Sequence, residues 1–284
     1  MNNTITRATI DSEIILSWLR SKPSKISQTR YTTNIKQFFS FIGARSLAEL
    51  KVEDVQDFVR MLGMKGYKPA TISQKLNTVK SLFTYAVRVG YLELSPCLVV
   101  KSPVVHSEVS KKLLTTEDVK LMVSKARSTR DKLIIKVLFS LGLRISELIK
   151  LQWTDFYHLP SGEVKVIIIG KGNKKREIVI NPNLYKELLT IKEADNPYLF
   201  HAWQRNTPLR ANAVFYVLKK LAVKCGLTDK LSAHWLRHSH ATEAIKNGCD
   251  LSLLQQSLGH SSITTTQKYL CYRDTEGSSN FIDI

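Results

Sequence analysis

The most informative stretch of this chain is HWLRHSHATEAIKNGCDLSLLQQSLGHSSITTTQKY, residues 234–269. Within it, His234 and Arg237 are three positions apart, so a helix would place them on one face. His260 follows a glycine, and Tyr269 comes nine positions later. Histidines, an arginine and a late tyrosine in one segment indicate a site where a phenol oxygen attacks an anionic group.

Two upstream segments supply further cations. Arg144 follows a helix that ends at Gly142, and a new helix begins at Ile145, so packed elements hold this arginine on both sides. Lys171 stands between two glycines at the tip of a predicted hairpin. In-line displacement at a phosphodiester places extra negative charge on the non-bridging oxygens, and a guanidinium can bind two of them. The sequence therefore predicts metal-free cleavage and rejoining of a phosphodiester by Tyr269, with Lys171 protonating the leaving 5′ oxygen.

Other histidines and a second tyrosine offer competing interpretations. His234, His238 and His240 could be metal ligands, but no carboxylate or cysteine completes a zinc site with normal spacing. We interpret His238 and His240 as structural. Tyr272 is a second candidate nucleophile, although it lacks the nine-residue spacing from His260.

Basic side chains around the predicted site are suited to DNA contact. Three of them follow the lysine at the hairpin tip, and three lie on helices predicted in the first hundred residues. The latter either form solvated helix faces or a surface that contacts DNA phosphates. These six residues are Lys174, Lys175, Arg176, Lys75, Lys80 and Arg30.

The composition points to a polyanionic partner. Of the 284 residues, 42 are Lys or Arg and 24 are Asp or Glu, which gives a net charge of +18. A chain this basic usually binds nucleic acid, and ribosome-type association is a second interpretation. The four cysteines lack Cys-x-x-Cys pairing, which favours reduced thiols over a zinc ribbon or a disulfide scaffold. Neither a membrane span nor a signal-peptide core is evident, so we expect a cytoplasmic, nucleoid-associated protein.

Apolar periodicity divides the chain into a helical part and a mixed part. Helical spacing dominates up to Gly90, whereas later helices surround β-branched runs on either side of the hairpin tip. We predict an α+β protein, mainly α with a small antiparallel β-sheet in its second domain. Predicted domains cover 1–98 and 113–284, joined by a linker over 99–112. The predicted helices are 28–42, 52–62, 69–87, 116–127, 130–141, 183–192, 211–224, 235–247, 251–257 and 262–271, and the strands are 164–169 and 177–180.

Four segments resemble, in order, the motifs of the tyrosine recombinases, the integrase family that includes the Xer recombinases and the phage integrases. Residues 142–148 resemble the box of the first active-site arginine, and 170–176 resemble the lysine hairpin. Residues 231–242 and 254–269 resemble the second and third boxes. The order and the intervals agree across about 113–272, so the resemblance covers the whole predicted second domain up to the tail.

The resemblance implies a role for each site residue. Tyr269 would form a 3′-phosphotyrosyl link and release a 5′ hydroxyl. Lys171 would protonate the leaving oxygen, and Glu147 would support the groups that hold the phosphate. Those groups would be Arg144, Arg237, His234 and His260.

The resemblance also implies an architecture and partners. The first domain would be the family's SAM-like, core-binding DNA-binding domain and the second its catalytic domain, together forming a C-shaped clamp around DNA. No metal or nucleotide cofactor is needed, because the covalent link retains the bond energy. The partner would be a double-stranded recombination site, on which a homotetramer exchanges strands between two duplexes through a Holliday junction. Off DNA the chain would be a monomer or a weak dimer, and the C-terminal tail would link neighbours.

Several alternatives stay open at this point. A type IB topoisomerase shares the chemistry, and a recombinase fold retained only for DNA binding needs no tyrosine. The resemblance does not distinguish Xer-like dimer resolution from integration or excision of a mobile element, and it does not identify an accessory protein. One departure is Leu141, where many relatives have threonine or serine, and it concerns packing only.

Overall fold

The computed structural model describes residues 5–104, 113–202, 206–260 and 262–270, with Lys171 described by its backbone alone. The chain forms two compact units, Met1–Ser107 and Glu108–Ile284. The core of the first unit includes Val100, which lies inside the predicted linker. Among the helices of these described ranges, none is long and apolar enough to cross a bilayer.

The first unit is helical over its described residues. The three helices predicted there are confirmed, and a fourth, which was not predicted, precedes them. Its Trp18 is fully buried and donates from Nε1 to the Ser81 hydroxyl at 3.2 Å. The helices are α1 (Asp11–Arg20), α2 (Lys25–Ile42), α3 (Val52–Met64) and α4 (Pro69–Arg88).

Aromatic packing stabilises the core of this unit. Phe38 of α2 is fully buried, and its ring lies 5.0 Å from the ring of Phe58 and 6.3 Å from that of Phe83, both in edge-to-face geometry. These two partners come from α3 and α4, so one side chain joins three helices.

We expect Phe38→Ala to lower the free energy of unfolding of the first unit by about 3–5 kcal/mol, because the substitution leaves a cavity between three helices. Urea unfolding followed by circular dichroism measures the change. Ile26→Ala is the control, because Ile26 is exposed on the same helix and should change stability by less than about 0.5 kcal/mol. Equal effects of the two substitutions would contradict the packing described for Phe38.

The second unit is mainly helical and contains a three-stranded antiparallel sheet of order β1-β2-β3 over its described residues. The predicted fold class, helical with a small antiparallel sheet, is confirmed. Strand β1 was not predicted, because three residues carry no readable alternation. The elements are α5 (Thr116–Lys125), α6 (Thr129–Ser140), α7 (Ile145–Leu148), β1 (Phe156–His158), β2 (Val164–Ile169), β3 (Lys175–Ile180), α8 (Pro182–Leu189), α9 (Ala211–Lys224), α10 (Ala233–Lys246), α11 (Leu251–Leu258) and α12 (Thr264–Gln267).

Packing between these elements sets the position of the predicted site. Helix α10 packs against α6 and α11, and α11 packs in turn against α12 and β3. A helix was predicted over 262–271, but the helix observed in this segment, α12, covers only Thr264–Gln267.

Candidate active site

A buried carboxylate lies at the centre of the predicted site. Glu147 is 3% exposed and belongs to the single turn α7, for which Arg144 is the N-terminal cap. The Arg144 backbone N–H donates to Glu147 Oε2 at 2.9 Å, and its Nη1 donates to Oε1 at 2.8 Å. The Arg144 side chain stays 30% exposed. One carboxylate therefore orients this guanidinium and leaves part of it accessible.

A second arginine binds the same carboxylate. Arg176 of β3 donates from Nη1 to Glu147 Oε1 at 3.1 Å and from Nη2 to Oε2 at 2.8 Å. Its Nε donates to the Ser257 carbonyl at 2.6 Å, and the side chain is only 9% exposed. Arg176 as a DNA contact stays a prediction, and every nitrogen of its guanidinium already has a partner inside the protein.

Glu147 is ionised at neutral pH. Burial alone would raise its pKa, but the hydrogen bond from Arg176 and those from Arg144 outweigh burial and lower the pKa below its usual value. The ionised Glu147 carboxylate therefore orients the guanidinium groups of Arg144 and Arg176. Its single negative charge cannot neutralise both of their positive charges.

Arg237 connects two turns of the backbone. It is 4% exposed, and its Nη1 donates to the Gly142 carbonyl at 2.6 Å, while Nη2 donates to the Leu258 carbonyl at 2.5 Å. Nη1 also lies 3.9 Å from Glu147 Oε2. Burial and the charge of Arg144 lower the Arg237 pKa to about 10, so the group remains protonated at neutral pH. The predicted pair Arg144 and Arg237 thus lies around one carboxylate.

Residue 142 has no room for a side chain, which explains why it is a glycine. Its φ is +58°, and a Cβ there would lie 2.6 Å from His240 Cδ2 and 2.8 Å from Leu258 Cδ2. The His240 ring therefore packs directly under the turn that leads to Arg144. Burial lowers the pKa of His240 to about 4, although a hydrogen bond to the Phe139 carbonyl opposes this shift.

We expect acid to destabilise the chain partly through His240. Its folded-state pKa is about 4, against 6.5 when unfolded, so only the unfolded chain takes up this proton between these values. The stability contribution is complete above pH 6.5 and is lost as the pH falls towards 4. The unfolding free energy should drop by roughly 2 kcal/mol more between pH 7 and 5 in the wild type than in His240→Asn. Urea unfolding at the two pH values measures this, and an equal drop in both proteins would contradict the assignment.

The two histidines that were predicted to hold the phosphate, His234 and His260, are neutral near pH 7. His234 lies exposed on α10, and its pKa is lowered by partial burial and by Arg237 and Arg144. His260 pairs through Nδ1 with the Thr266 hydroxyl at 2.8 Å, and partial burial with the same arginines lowers its pKa to about 4. Because both rings respond to both guanidinium groups, the structure brings the four groups into one electrostatic neighbourhood. Neutral imidazoles there can donate a hydrogen bond or accept a proton.

Tyr269 lies inside the unit rather than at its surface. Its side chain is 1% exposed and packs in the apolar cluster that contains Ala241, Leu254 and Leu258. The hydroxyl lies 2.5 Å from His238 Nδ1. The phenol also raises the pKa of Arg237, so it is within electrostatic reach of that guanidinium.

His238 is the residue at this site that sequence reasoning missed. It was interpreted as structural, whereas its ring contacts the hydroxyl of Tyr269. It follows Arg237 directly and lies about 100° further around α10, but no pattern in the sequence indicates its contact with Tyr269. The alternative nucleophile, Tyr272, lies outside the described residues.

The hairpin tip between β2 and β3 is a tight turn. Gly172 has φ +74° and Asn173 has φ +60°, both in the left-handed region. Lys171 begins this turn, and its side chain lies outside the described part of the structure. Lys174 and Lys175 are exposed beyond it.

An open cleft of about 1330 Å³ runs beside the hairpin. Its lining includes Arg144, His260, Lys174 and Lys175, so an anion that enters it meets the accessible guanidinium and the exposed lysines. Among the described residues, no three histidine, cysteine or carboxylate side chains are grouped as metal ligands would be.

The predicted DNA contacts of the first unit differ in their accessibility. Arg30 is exposed. Lys75 donates to Gln37 Oε1 at 2.5 Å and lies over the Tyr67 ring, and Lys80 donates to the Val100 carbonyl. Phosphate binding by the two lysines would therefore replace hydrogen bonds that they already make.

Comparison with known families agrees with this geometry. The model of the phage integrase family matches residues 106–276, and that of the phage integrase N-terminal SAM-like domain matches residues 19–91. Tyrosine recombinase XerD of Staphylococcus saprophyticus is 30% identical over 254 residues, which cover 84% of this chain and 85% of the relative.

Solved structures share the fold at lower identity. A lambda integrase (75–356) dimer bound to a COC′ core site superposes with a TM-score of 0.75 at 16% identity, covering 97% of this chain and all of the other. A lambda integrase tetramer bound to a Holliday junction gives a TM-score of 0.71 at 16% identity, covering 90% of this chain and 79% of the other.

Proposed function

The chain belongs to the phage integrase family and is a tyrosine recombinase, and we propose that its site-specific DNA cleavage and rejoining use Tyr269 as nucleophile. The observation that supports phosphate chemistry at this site is the arrangement around Glu147, which orients Arg144 towards an open cleft and has Arg237 beside it. The accessible Arg144 guanidinium can bind a phosphate in the cleft, and the buried charge of Arg237 beside Glu147 adds to the positive field that a pentacoordinate phosphate needs when no metal is bound.

Each step of the proposed reaction has a residue. The phenol oxygen of Tyr269 bonds to phosphorus as the bond to the 5′ oxygen breaks. The phenol proton passes to a neutral imidazole, and His238 is in contact with the hydroxyl, whereas His234 and His260 are the predicted phosphate ligands. Lys171 gives its proton to the leaving 5′ oxygen. Rejoining reverses these transfers, so no net acid or base is consumed.

The burial of Tyr269 adds a requirement to this mechanism. A hydroxyl on a side chain that is 1% exposed cannot meet a phosphate in the cleft until its surroundings open. We propose that DNA binding uncovers it, so the free protein should be poorly reactive. Helix α12, a single turn directly before Tyr269, is the segment whose movement we propose uncovers the hydroxyl.

The assembly is also a proposal. The relatives whose solved structures share the fold are bound to DNA as a dimer at a core site and as a tetramer at a Holliday junction. We propose that this chain likewise assembles as a homotetramer on two DNA sites, and the C-terminal tail, which lies outside the described residues, is the proposed link between neighbours. The C-shaped clamp, the cytoplasmic, nucleoid-associated location and an accessory protein stay predictions.

The biological role is a further proposal. Similarity to XerD favours an Xer-like role in dimer resolution over integration or excision of a mobile element.

Covalent trapping tests the proposed function. DNA that crosslinks to the chain in cells is sequenced to find its site, and a duplex of that site with a nick next to the scissile phosphate is incubated with the protein in EDTA. We expect a protein–DNA adduct that survives denaturation, because loss of the short strand prevents rejoining. DNA binding without any adduct would favour a binding-only role, and rapid relaxation of supercoiled DNA of any sequence would favour a topoisomerase.

A further inference from the structure

We propose that Arg176 is a positioning residue of this active site, and that it holds the hairpin that carries Lys171, the turn that carries His260 and the Arg144–Glu147 pair in one arrangement. The proposal rests on the function proposed above, and it assigns Arg176 a role other than DNA contact.

The hydrogen bonds of Arg176 connect three separate segments. Its Nη1 and Nη2 bind the two oxygens of Glu147, at 3.1 and 2.8 Å, and its Nε binds the Ser257 carbonyl at 2.6 Å. Arg176 itself belongs to β3, Glu147 to α7 and Ser257 to the last turn of α11. A bidentate guanidinium–carboxylate pair fixes direction as well as distance, so these segments cannot shift independently.

Two glycines let the guanidinium come close to the backbone. A Cβ on Gly259 would lie 3.1 Å from Arg176 Cδ and 3.3 Å from its Nη1, and a Cβ on Gly170 would lie 3.4 Å from Nη1. Gly170 immediately precedes Lys171, and Gly259 immediately precedes His260. The same side chain therefore packs against the residue before each of two proposed catalytic groups.

Arg176 also affects how much positive charge Arg144 can offer to a phosphate. Glu147 carries one negative charge, and Arg176 binds both of its oxygens from one side. With Arg176 in place, the carboxylate is shared, and Arg144 retains positive charge for a phosphate in the cleft. Without it, Glu147 would pair with Arg144 and Arg237 alone and would draw both towards itself. The pKa of Glu147 would also rise, because the strongest hydrogen bond that lowers it is lost.

The experiment compares Arg176→Gln with two other substitutions that each remove one positive charge. Lys136→Gln removes a charge from an exposed pair with Glu187 and serves as control, and Lys175→Gln removes an exposed cation from the cleft lining. Adduct formation is followed in single turnover as DNA concentration and pH are varied. For Arg176→Gln we expect the rate at saturating DNA to fall about 10–100-fold, with half-saturating DNA within about threefold. The acid limb of its rate profile should move to higher pH. Lys175→Gln should instead raise half-saturating DNA.

A second measurement does not depend on activity. The Gly170 amide donates to the Lys174 carbonyl and the His260 amide to the Gln255 carbonyl, so hydrogen exchange reports on both segments. In Arg176→Gln both amides should exchange faster than in the wild type and in Lys136→Gln. Unchanged exchange at both amides, or a loss of DNA affinity with an unchanged rate of adduct formation at saturating DNA, would overturn the proposal.

A second variant keeps the proposal testable. If Arg176→Gln does not fold, Arg176→Lys is used, which keeps the charge but cannot bind both carboxylate oxygens in one plane. If the wild type forms no adduct, the proposed function fails while the exchange result still decides the role of Arg176.

Discussion

Tyr269→Phe is expected to reduce covalent attachment to the nicked site by at least about 10⁴-fold, because the only change is loss of the attacking oxygen. The ring stays in the apolar cluster with Leu254 and Leu258, and the lost hydrogen bond to His238 costs about 0.5–1.5 kcal/mol of stability. The protein should therefore fold and bind DNA normally. Denaturing gels of radiolabelled DNA measure the adduct, and filter binding measures affinity.

Two matched substitutions make this result specific. Tyr216→Phe removes an exposed hydroxyl from α9, and Tyr272→Phe tests the alternative nucleophile, so both should leave the adduct at its wild-type level. Peptide mapping of the wild-type adduct should place the DNA on Tyr269. An adduct that persists in Tyr269→Phe, or that maps to Tyr272, would remove the nucleophile from the mechanism.

The elements that sequence reasoning predicted well are those whose signal is local. The α2 stripe follows from a period of 3.6 that neighbouring residues carry, and the paired strands β2 and β3 follow from β-branched runs on either side of a glycine-rich tip. The turn at Gly142 and the position of Arg144 at a helix start were also readable, because a cap and its turn lie within a few residues. Strand β1 was not, since its three residues form a strand only through pairing with β2.

The sequence predicted that Arg144, Glu147 and Arg237 lie near one another, but it did not predict their contacts. A motif names Arg176 as one basic residue among three at a hairpin, and only the packing of β3 against α11 shows that its guanidinium points inward. The same holds for Tyr269, whose burial depends on α10 and α11 closing over it. Residue type and spacing predict which groups meet, whereas partners far apart in the chain decide which group faces the solvent.

The second large effect is expected from Arg144→Ala. The rate of adduct formation at saturating DNA should fall about 10²–10³-fold, because the accessible guanidinium in the cleft no longer stabilises the charge that develops on the phosphate oxygens. Affinity should fall by less than about tenfold, since one phosphate contact among several is lost. Glu147 keeps both hydrogen bonds from Arg176, so the site should retain its shape.

Substitution by lysine and a surface control separate charge from geometry. Arg144→Lys keeps the charge but cannot bind two oxygens in a plane, so its rate should lie between those of the wild type and Arg144→Ala. Arg60→Ala removes an arginine from an exposed pair with Asp57 and should change neither the rate nor the thermal stability appreciably. If binding falls in parallel with cleavage in Arg144→Ala, the guanidinium contributes to ground-state binding rather than to the transition state, and its proposed role is wrong. If the rate falls while affinity holds, the Arg144 guanidinium stabilises the transition state of phenol attack more than it stabilises bound DNA.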